Sequence, residues 1–183
     1  MAGSLTVIAG GMYAGKSSEL LRYLSRAQYG KKRIQLFKPV LDNRYSADDV
    51  VTHSGASLTA IPVESALDIF SHIDPKTNVV GIDEAQFFDH SIARVVDQLA
   101  NEGVEVVVAG LNQDSSGNPF GSMPILLALA DEVVSVRAVC VTCGADASKT
   151  YRLTQEDSQV LVGALGVYEA RCRACWKTGR LPI

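Results

Sequence analysis

Short runs of apolar, mostly β-branched residues recur along the first three quarters of the chain, and each run is bounded by glycine, proline or charge. Uniformly apolar runs of this length are typical of strands that are buried on both faces. We therefore predict five buried strands, at Leu5–Ala9, Ile34–Phe37, Val79–Ile82, Val104–Ala109 and Val133–Val139.

Between these runs, apolar residues recur at the three- and four-residue spacing of amphipathic helices. The pattern is strong over Ser18–Tyr29, which stops at Gly30, and over Ser91–Glu102, which stops at Gly103. Weaker helical patterns cover Glu64–Ile73 and Met123–Ala130. The alternation of buried strands with helices predicts a parallel sheet that is covered by helices on both faces.

Composition narrows the class of protein. The 183 residues make one domain with at most a small appendage, and 47% apolar residues are enough to bury a core. The formal net charge of -3 has the wrong sign for a protein whose main task is to coat nucleic-acid phosphates. The sequence shows neither a secretory signal nor an apolar stretch long enough to span a bilayer, so we expect no membrane partner and a cytoplasmic location.

All four cysteines lie in the last quarter of the chain, as Cys140-x-x-Cys143 and Cys172-x-x-Cys175. This boundary predicts a nucleotide-binding core over residues 1–139 and a smaller subdomain over residues 140–183. Two such pairs offer four thiolates to a closed, structural zinc site, with disulfides or thiol redox chemistry as the alternatives. The long insert between the pairs predicts a lid over a ligand, or else a plain surface loop.

A glycine-rich segment between the first strand and the first helix fits the phosphate-loop pattern G-x-x-x-x-G-K-[ST]. In such a loop, backbone N–H groups and the positive end of the helix bind the β-phosphate. The lysine reaches the β- and γ-phosphates, and the hydroxyl that follows it completes the shell of Mg²⁺. The segment consists of Gly10, Gly11, Met12, Tyr13, Ala14, Gly15, Lys16 and Ser17.

The third apolar run ends in Asp83-Glu84, where a phosphate-loop protein needs an acid beside the metal. We expect Asp83 to position Mg²⁺. Glu84 would point away from Asp83 if the strand persists, and could then take a proton from a nucleophile or orient a water. A charged strand end that faces solvent is the alternative for Glu84. These motifs predict a protein that handles Mg²⁺ and a nucleoside triphosphate, and they leave open whether water or a hydroxyl group receives the phosphate.

Six motifs in order along nearly the whole chain resemble those of one enzyme family. Besides the phosphate loop, they are 42–46 (DNRYS), 83–88 (DEAQFF), 118–121 (NPFG), 150–153 (TYRL) and 168–175 (YEARCRAC). On these motifs the chain resembles the type II, human cytosolic-like thymidine kinases, which contain zinc. The resemblance implies a RecA-like P-loop core and a small zinc-binding subdomain that carries a lasso-like lid.

The resemblance also implies the reaction, transfer of the ATP γ-phosphate to the 5′-hydroxyl of thymidine to give dTMP and ADP. Such a reaction serves nucleotide salvage for DNA synthesis. The resemblance makes Glu84 the general base and places Arg44 near the transferring phosphate, with Asp42 holding Arg44 or the metal. It further implies a homotetramer and inhibition by dTTP. The nucleoside would be bound by Met12, Phe87, Leu111, Phe120, Thr150, Val162, Gly163 and Tyr168.

This sequence departs from the family pattern at four places. Ser115 stands where the family usually has a phenylalanine beside the base, and Asn112 stands where an aspartate is usual. Gly11 replaces a proline, and the paired glycines of the lid are Gly163-Ala164. Two alternatives therefore stay open: a deoxynucleoside kinase with altered base preference, and a zinc-ribbon P-loop NTPase that acts as a regulator.

Overall fold

The computed structural model describes residues 3–40, 49–51, 57–154 and 166–179. Six parallel strands form the central sheet in the order β5-β2-β6-β7-β1-β8. Three two-stranded antiparallel sheets, β3-β4, β9-β10 and β11-β12, accompany it. The strands are β1 (Ser4–Gly10), β2 (Ile34–Pro39), β3 (Asp49–Val51), β4 (Ser57–Thr59), β5 (Ile61–Val63), β6 (Val79–Ile82), β7 (Glu105–Leu111), β8 (Glu132–Ser135), β9 (Ala138–Val139), β10 (Asp146–Ala147), β11 (Lys149–Arg152) and β12 (Tyr168–Arg171).

Helices cover both faces of the central sheet, as the alternating pattern predicted. On one face, α1 packs Leu20, Leu21 and Leu24 against the strands. On the other face, α3 and α4 contribute a larger apolar cluster that includes Ile92 and Met123. The helices are α1 (Lys16–Tyr29), α2 (Asp68–His72), α3 (Ser91–Asn101), α4 (Met123–Leu129) and α5 (Arg173–Thr178). None of the helices in the described part of the chain has the length and apolar character needed to cross a membrane.

Four of the five predicted strands agree with the structure to within one or two residues, but Val133–Val139 was wrong as a single strand. The chain pairs with β1 only as far as Ser135, and β9 then begins at Ala138 as part of a separate hairpin. β8 is an edge strand with mostly exposed side chains, so burial does not hold the chain in the sheet beyond it.

The sequence pattern did not predict the edge strand β5, because Pro62 interrupts its apolar run. An edge strand tolerates proline, although proline has no backbone N–H to donate to a neighbouring strand.

The predicted helices are confirmed with shifted ends. α1 begins at Lys16, two positions before the predicted Ser18, because the phosphate loop runs directly into the helix. α2 is confined to five residues, much shorter than the predicted Glu64–Ile73. The short helix α5, which begins directly after Cys172 and contains Cys175, was not predicted.

Burial of α1 gives a stability prediction. Leu24 is fully buried between this helix and the sheet, whereas Leu129 on α4 is 43% exposed. We expect Leu24→Ala to lower the free energy of unfolding by about 2–5 kcal/mol, because the substitution removes buried methyl groups and leaves a cavity. The matched control Leu129→Ala should cost about 1 kcal/mol or less. Urea denaturation measures both, and equal losses would contradict the packing described here.

Candidate active site

The predicted phosphate loop and the Asp83-Glu84 pair lie at the same edge of the central sheet. The loop follows the end of β1, and the acidic pair follows the end of β6, with β7 between the two strands. All three strands are parallel, so their carboxyl ends meet at one edge. Segments that are about seventy residues apart in sequence are therefore brought into one site.

The phosphate loop curls because two of its residues have backbone dihedral angles that neither a helix nor a strand contains. Gly15, which caps the start of α1, has φ 83°, in the left-handed region that glycine adopts without steric cost. Tyr13 also has a positive φ, of 63°. Lys16 folds back over the loop, and its Nζ donates to the carbonyl oxygen of Gly11 at 2.8 Å. The lysine ammonium and the first N–H groups of α1 thus border one concave loop, an arrangement suited to a phosphate.

Lys16 is electrostatically linked to both acids. Loss of hydration on burial lowers the pKa of its ammonium, and the negative charges of Glu84 and Asp83 act in the opposite direction. The lysine therefore lies close enough to the acidic pair for its charge to be felt there. One cation and two carboxylates share this edge of the sheet.

Asp83 is buried, with 5% of its surface exposed, and one carboxylate oxygen accepts from the backbone N–H of Glu84 at 2.9 Å. Burial, reinforced by the charge of Glu84, raises the pKa of Asp83 to about 6. Hydrogen bonds from Ser17 and the Glu84 backbone, and the charge of Lys16, partly oppose this shift. The contact with Ser17 pairs the loop hydroxyl with an acid, and both are oxygen ligands of the kind that Mg²⁺ takes.

Glu84 is oriented by a turn. The strand does not persist to Glu84, since β6 ends at Ile82, so the orientation of Glu84 is not set by strand alternation. Glu84 has φ 53° and ψ 39°, and it precedes a single 3₁₀ turn, Ala85–Phe87. Its carboxylate accepts a short hydrogen bond from the side-chain amide of Gln86.

Gln86 is a site residue that the reasoning from sequence did not single out. It is 3% exposed, and its side-chain oxygen accepts from the backbone N–H of Leu111 at 2.9 Å. The amide is thereby fixed at both ends, between β7 and the Glu84 carboxylate. The backbone of Gly121 packs closely against the Gln86 carbonyl oxygen. Gly121 has φ 50°, and a Cβ at this position would lie 2.1 Å from that oxygen, so the contact requires glycine. The only sequence signal for Gln86 is its position in the 83–88 motif.

Several of the residues predicted to bind nucleoside are brought together in pairs. The rings of Phe87 and Phe120 meet edge to face, with centroids 5.6 Å apart. The backbone N–H of Met12 donates to the hydroxyl of Thr150 at 3.1 Å, which joins the phosphate loop to β11. Tyr168 lies opposite Arg152 in the β11-β12 pair, and its hydroxyl accepts from that guanidinium at 2.8 Å.

Four of the predicted site residues, Asp42, Arg44, Val162 and Gly163, lie outside the described residues, and so does most of the predicted lid. A polar cavity of about 250 Å³ opens beside the start of the phosphate loop. Its lining includes Asn112, whose buried side-chain oxygen has no hydrogen-bond partner among the described residues.

The four cysteine sulfurs converge, all within 4.8 Å of one another, and none forms a disulfide. The Sγ atoms of Cys143 and Cys172 are 3.7 Å apart. A tetrahedral zinc site with Zn–S distances of about 2.3 Å separates its sulfurs by about 3.8 Å, so the donors fit such an ion. Hydrogen bonds from backbone N–H groups, the largest from Cys172, lower the pKa of Cys140 to about 6, whereas side-chain hydrogen bonds, the largest from Cys172, raise the pKa of Cys175 to about 12.

Comparison with known proteins points to one family. The family model for thymidine kinase matches residues 3–176. A curated relative, the "Thymidine kinase" of Bacteroides thetaiotaomicron, is 48% identical over 181 residues, covering 97% of this chain and 89% of the relative.

Among solved structures, the genome packaging NTPase B204 from Sulfolobus turreted icosahedral virus 2 is similar at 16% identity. Its complex with ATP-gammaS gives a TM-score of 0.47 and covers 74% of this chain and 75% of that one. Its complex with sulfate gives a TM-score of 0.44 and covers 74% of each chain.

The cysteine cluster generates a prediction on metal content. We expect the purified protein to carry about one zinc per chain, because four converging thiolates form one closed site. Cys172→Ser should lower that ratio well below one, and elemental analysis measures it. Since the sequence has four cysteines and all are in the cluster, titration with a thiol reagent measures the reactivity of this site alone. Four fast-reacting thiols in the untreated wild type, with no bound metal, would contradict a metal site.

Proposed function

The chain belongs to the thymidine kinase family, and we propose that it transfers the γ-phosphate of ATP to the 5′-hydroxyl of thymidine, giving dTMP and ADP. The proposed mechanism rests on one observation. Gln86 holds the Glu84 carboxylate at the same edge of the sheet as the phosphate loop. A fixed carboxylate beside the phosphates suits a kinase, because a hydroxyl acceptor must be held in line and must lose its proton.

In this proposal the loop binds the triphosphate. Backbone N–H groups of residues 10–17 and the start of α1 would surround the β-phosphate, and Lys16 would release Gly11 and bind the β- and γ-phosphates. Ser17 and Asp83 would hold Mg²⁺, which neutralises charge on the phosphate oxygens when it is bound. Their mutual contact and the burial of Asp83 support this assignment.

Glu84 is the proposed general base. It would accept the proton of the 5′-hydroxyl while that oxygen bonds to the γ-phosphorus, and the bond from phosphorus to the β–γ bridging oxygen would break to release ADP. Gln86 would keep the carboxylate aimed at the acceptor. Arg44 would stabilise charge on the transferring phosphate, with Asp42 beside it; these two roles stay predictions from the resemblance.

The nucleoside would lie against the aromatic pair Phe87 and Phe120, close to Leu111 and to the junction of Met12 with Thr150. The closeness of Phe87 to Glu84 in the chain supports the assignment, because the sugar hydroxyl must reach the base. Tyr168, Val162 and Gly163 would complete the binding site from the cysteine-bearing segment. The ion in that segment is proposed to be structural Zn²⁺, since all four ligand positions are taken by cysteine. A homotetramer, inhibition by dTTP, a cytoplasmic location and the domain boundary at 139/140 stay predictions.

Ser115 favours a second candidate, a deoxynucleoside kinase with altered base preference. We expect thymidine to give the highest kcat/KM in a steady-state comparison with deoxyuridine and deoxycytidine. A higher value for either competitor would favour the second candidate. ATP hydrolysis that is equally fast without any nucleoside would instead indicate an NTPase.

Glu84→Gln tests the mechanism. We expect turnover to fall by about 10²–10⁴-fold, because the amide cannot take the proton of the hydroxyl, while ATP still binds. The matched control Glu102→Gln changes an exposed acid at the opposite edge of the sheet, between α3 and the start of β7, and should leave kcat within about twofold. Initial rates and equilibrium ATP binding measure the two effects; near-normal turnover in Glu84→Gln would remove Glu84 from the role of base.

A further inference from the structure

The chain has a single tryptophan, Trp176, and it lies on α5 directly after the last cysteine. Its half-buried indole N–H donates to two backbone carbonyl oxygens, those of Thr150 at 3.1 Å and Ser115 at 3.3 Å. These carbonyls belong to different segments, β11 and residues 112–118, which we call the β7–α4 loop. One donor therefore joins this loop to the cysteine-bearing segment.

Thr150 extends the connection to the phosphate loop. It is 5% exposed, and its hydroxyl accepts from the backbone N–H of Met12. Trp176 on α5 thus bonds the β7–α4 loop directly and is connected to the phosphate loop through Thr150.

The β7–α4 loop is stiff, and the indole ring packs directly against it. The Asp114 carboxylate accepts from the backbone N–H groups of Ser116 and Asn118, both at 2.9 Å. Gly117 has φ 85°, and a Cβ there would lie 3.0 Å from the indole Cη2 atom. On the indole face, the Lys149 ammonium lies 5.3 Å from the ring centroid and also hydrogen-bonds Gln113 of the loop.

This loop joins the residues that would border the nucleoside. Leu111 precedes it, and Phe120 follows it and packs on Phe87. The backbone N–H of Phe120 donates to the Asn112 carbonyl oxygen at 3.2 Å, so the position of the loop sets the position of the ring. Displacement of the loop would move the aromatic wall without moving Lys16 or Asp83.

We propose that Trp176 is a positioning residue for nucleoside binding, which clamps the β7–α4 loop to β11 and so makes affinity for the nucleoside depend on the cysteine-bearing segment. The inference rests on the proposed function. It assigns Trp176 no contact with the reacting atoms. Its removal should therefore weaken nucleoside binding while phosphoryl transfer from bound substrates continues.

Trp176→Phe keeps an aromatic ring and removes the N–H that both carbonyls share. We expect the KM for thymidine to rise about tenfold, with kcat and the KM for ATP within about twofold of the wild type. The control is Tyr151→Phe, which removes a hydrogen bond to the Gly179 carbonyl oxygen in the same segment and keeps the contact of the ring with Arg171. It should leave all three constants within about twofold. An unchanged KM for thymidine in Trp176→Phe, or a fall confined to kcat, would overturn the inference.

The wild-type assay separates this inference from the proposed function. If the wild type forms no thymidine-dependent ADP, both fail; if it does and Trp176→Phe matches it, only the inference fails. Zinc content and melting temperature show whether Trp176→Phe still folds. If it does not, Gly117→Ala crowds the same contact from the loop side and should also raise the KM for thymidine, and an unchanged KM would count against the clamp.

Because Trp176 is the sole tryptophan, the fluorescence of the unmodified protein reports on the surroundings of its indole ring. We expect saturating thymidine to change the emission intensity or maximum. Constant emission on addition of thymidine, in a sample that phosphorylates it, would overturn the inference.

Discussion

Parallel pairing of β1, β7 and β6 is the constraint on which the rest of the site depends. Ile82, the last residue of β6, pairs with Val108 of β7, and Gly10, the last residue of β1, pairs with Leu111 three positions further along the same strand. The phosphate loop and the acidic pair leave the sheet from those ends. A shift of one residue in either pairing would turn buried side chains toward the opposite face, and burial of all three strands opposes such a shift.

Charge at this edge of the sheet is balanced locally. Lys16 faces two carboxylates, and burial leaves Asp83 with a raised pKa. A divalent cation would reverse that shift by stabilising the ionised acid. The whole chain carries a formal net charge of -3, yet this edge of the sheet suits an anionic triphosphate, because a lysine and a helix start, with the proposed metal, act over a few ångströms. The net charge of the chain argues against nucleic acid as a partner, whereas the local arrangement of charged groups at this edge of the sheet determines which ligand binds there.

Sequence patterns predicted the parts of the fold that depend on residues close together in the chain. Buried strands such as β6 matched their apolar runs, and the phosphate loop and cysteine pairs matched fixed spacings. The patterns failed where a distant contact determines the structure. The left-handed turn at Glu84, the amide of Gln86 held by β7 and the indole of Trp176 shared by two carbonyls all depend on partners far along the chain. Residue spacing carries no signal for such contacts.

The small cysteine-bearing segment links the proposed metal site to the proposed nucleoside site. Its buried core consists of Ala138, Cys140, Ala147 and Ala170, which are too small to bury much apolar area. Metal ligation would therefore supply much of the free energy that keeps this segment folded. Thr150 and Trp176 belong to the same segment, and through them it is bonded to the phosphate loop and to the β7–α4 loop. If zinc binds the cysteines as proposed, its loss would release these two attachments together and would change the shape of the proposed nucleoside site.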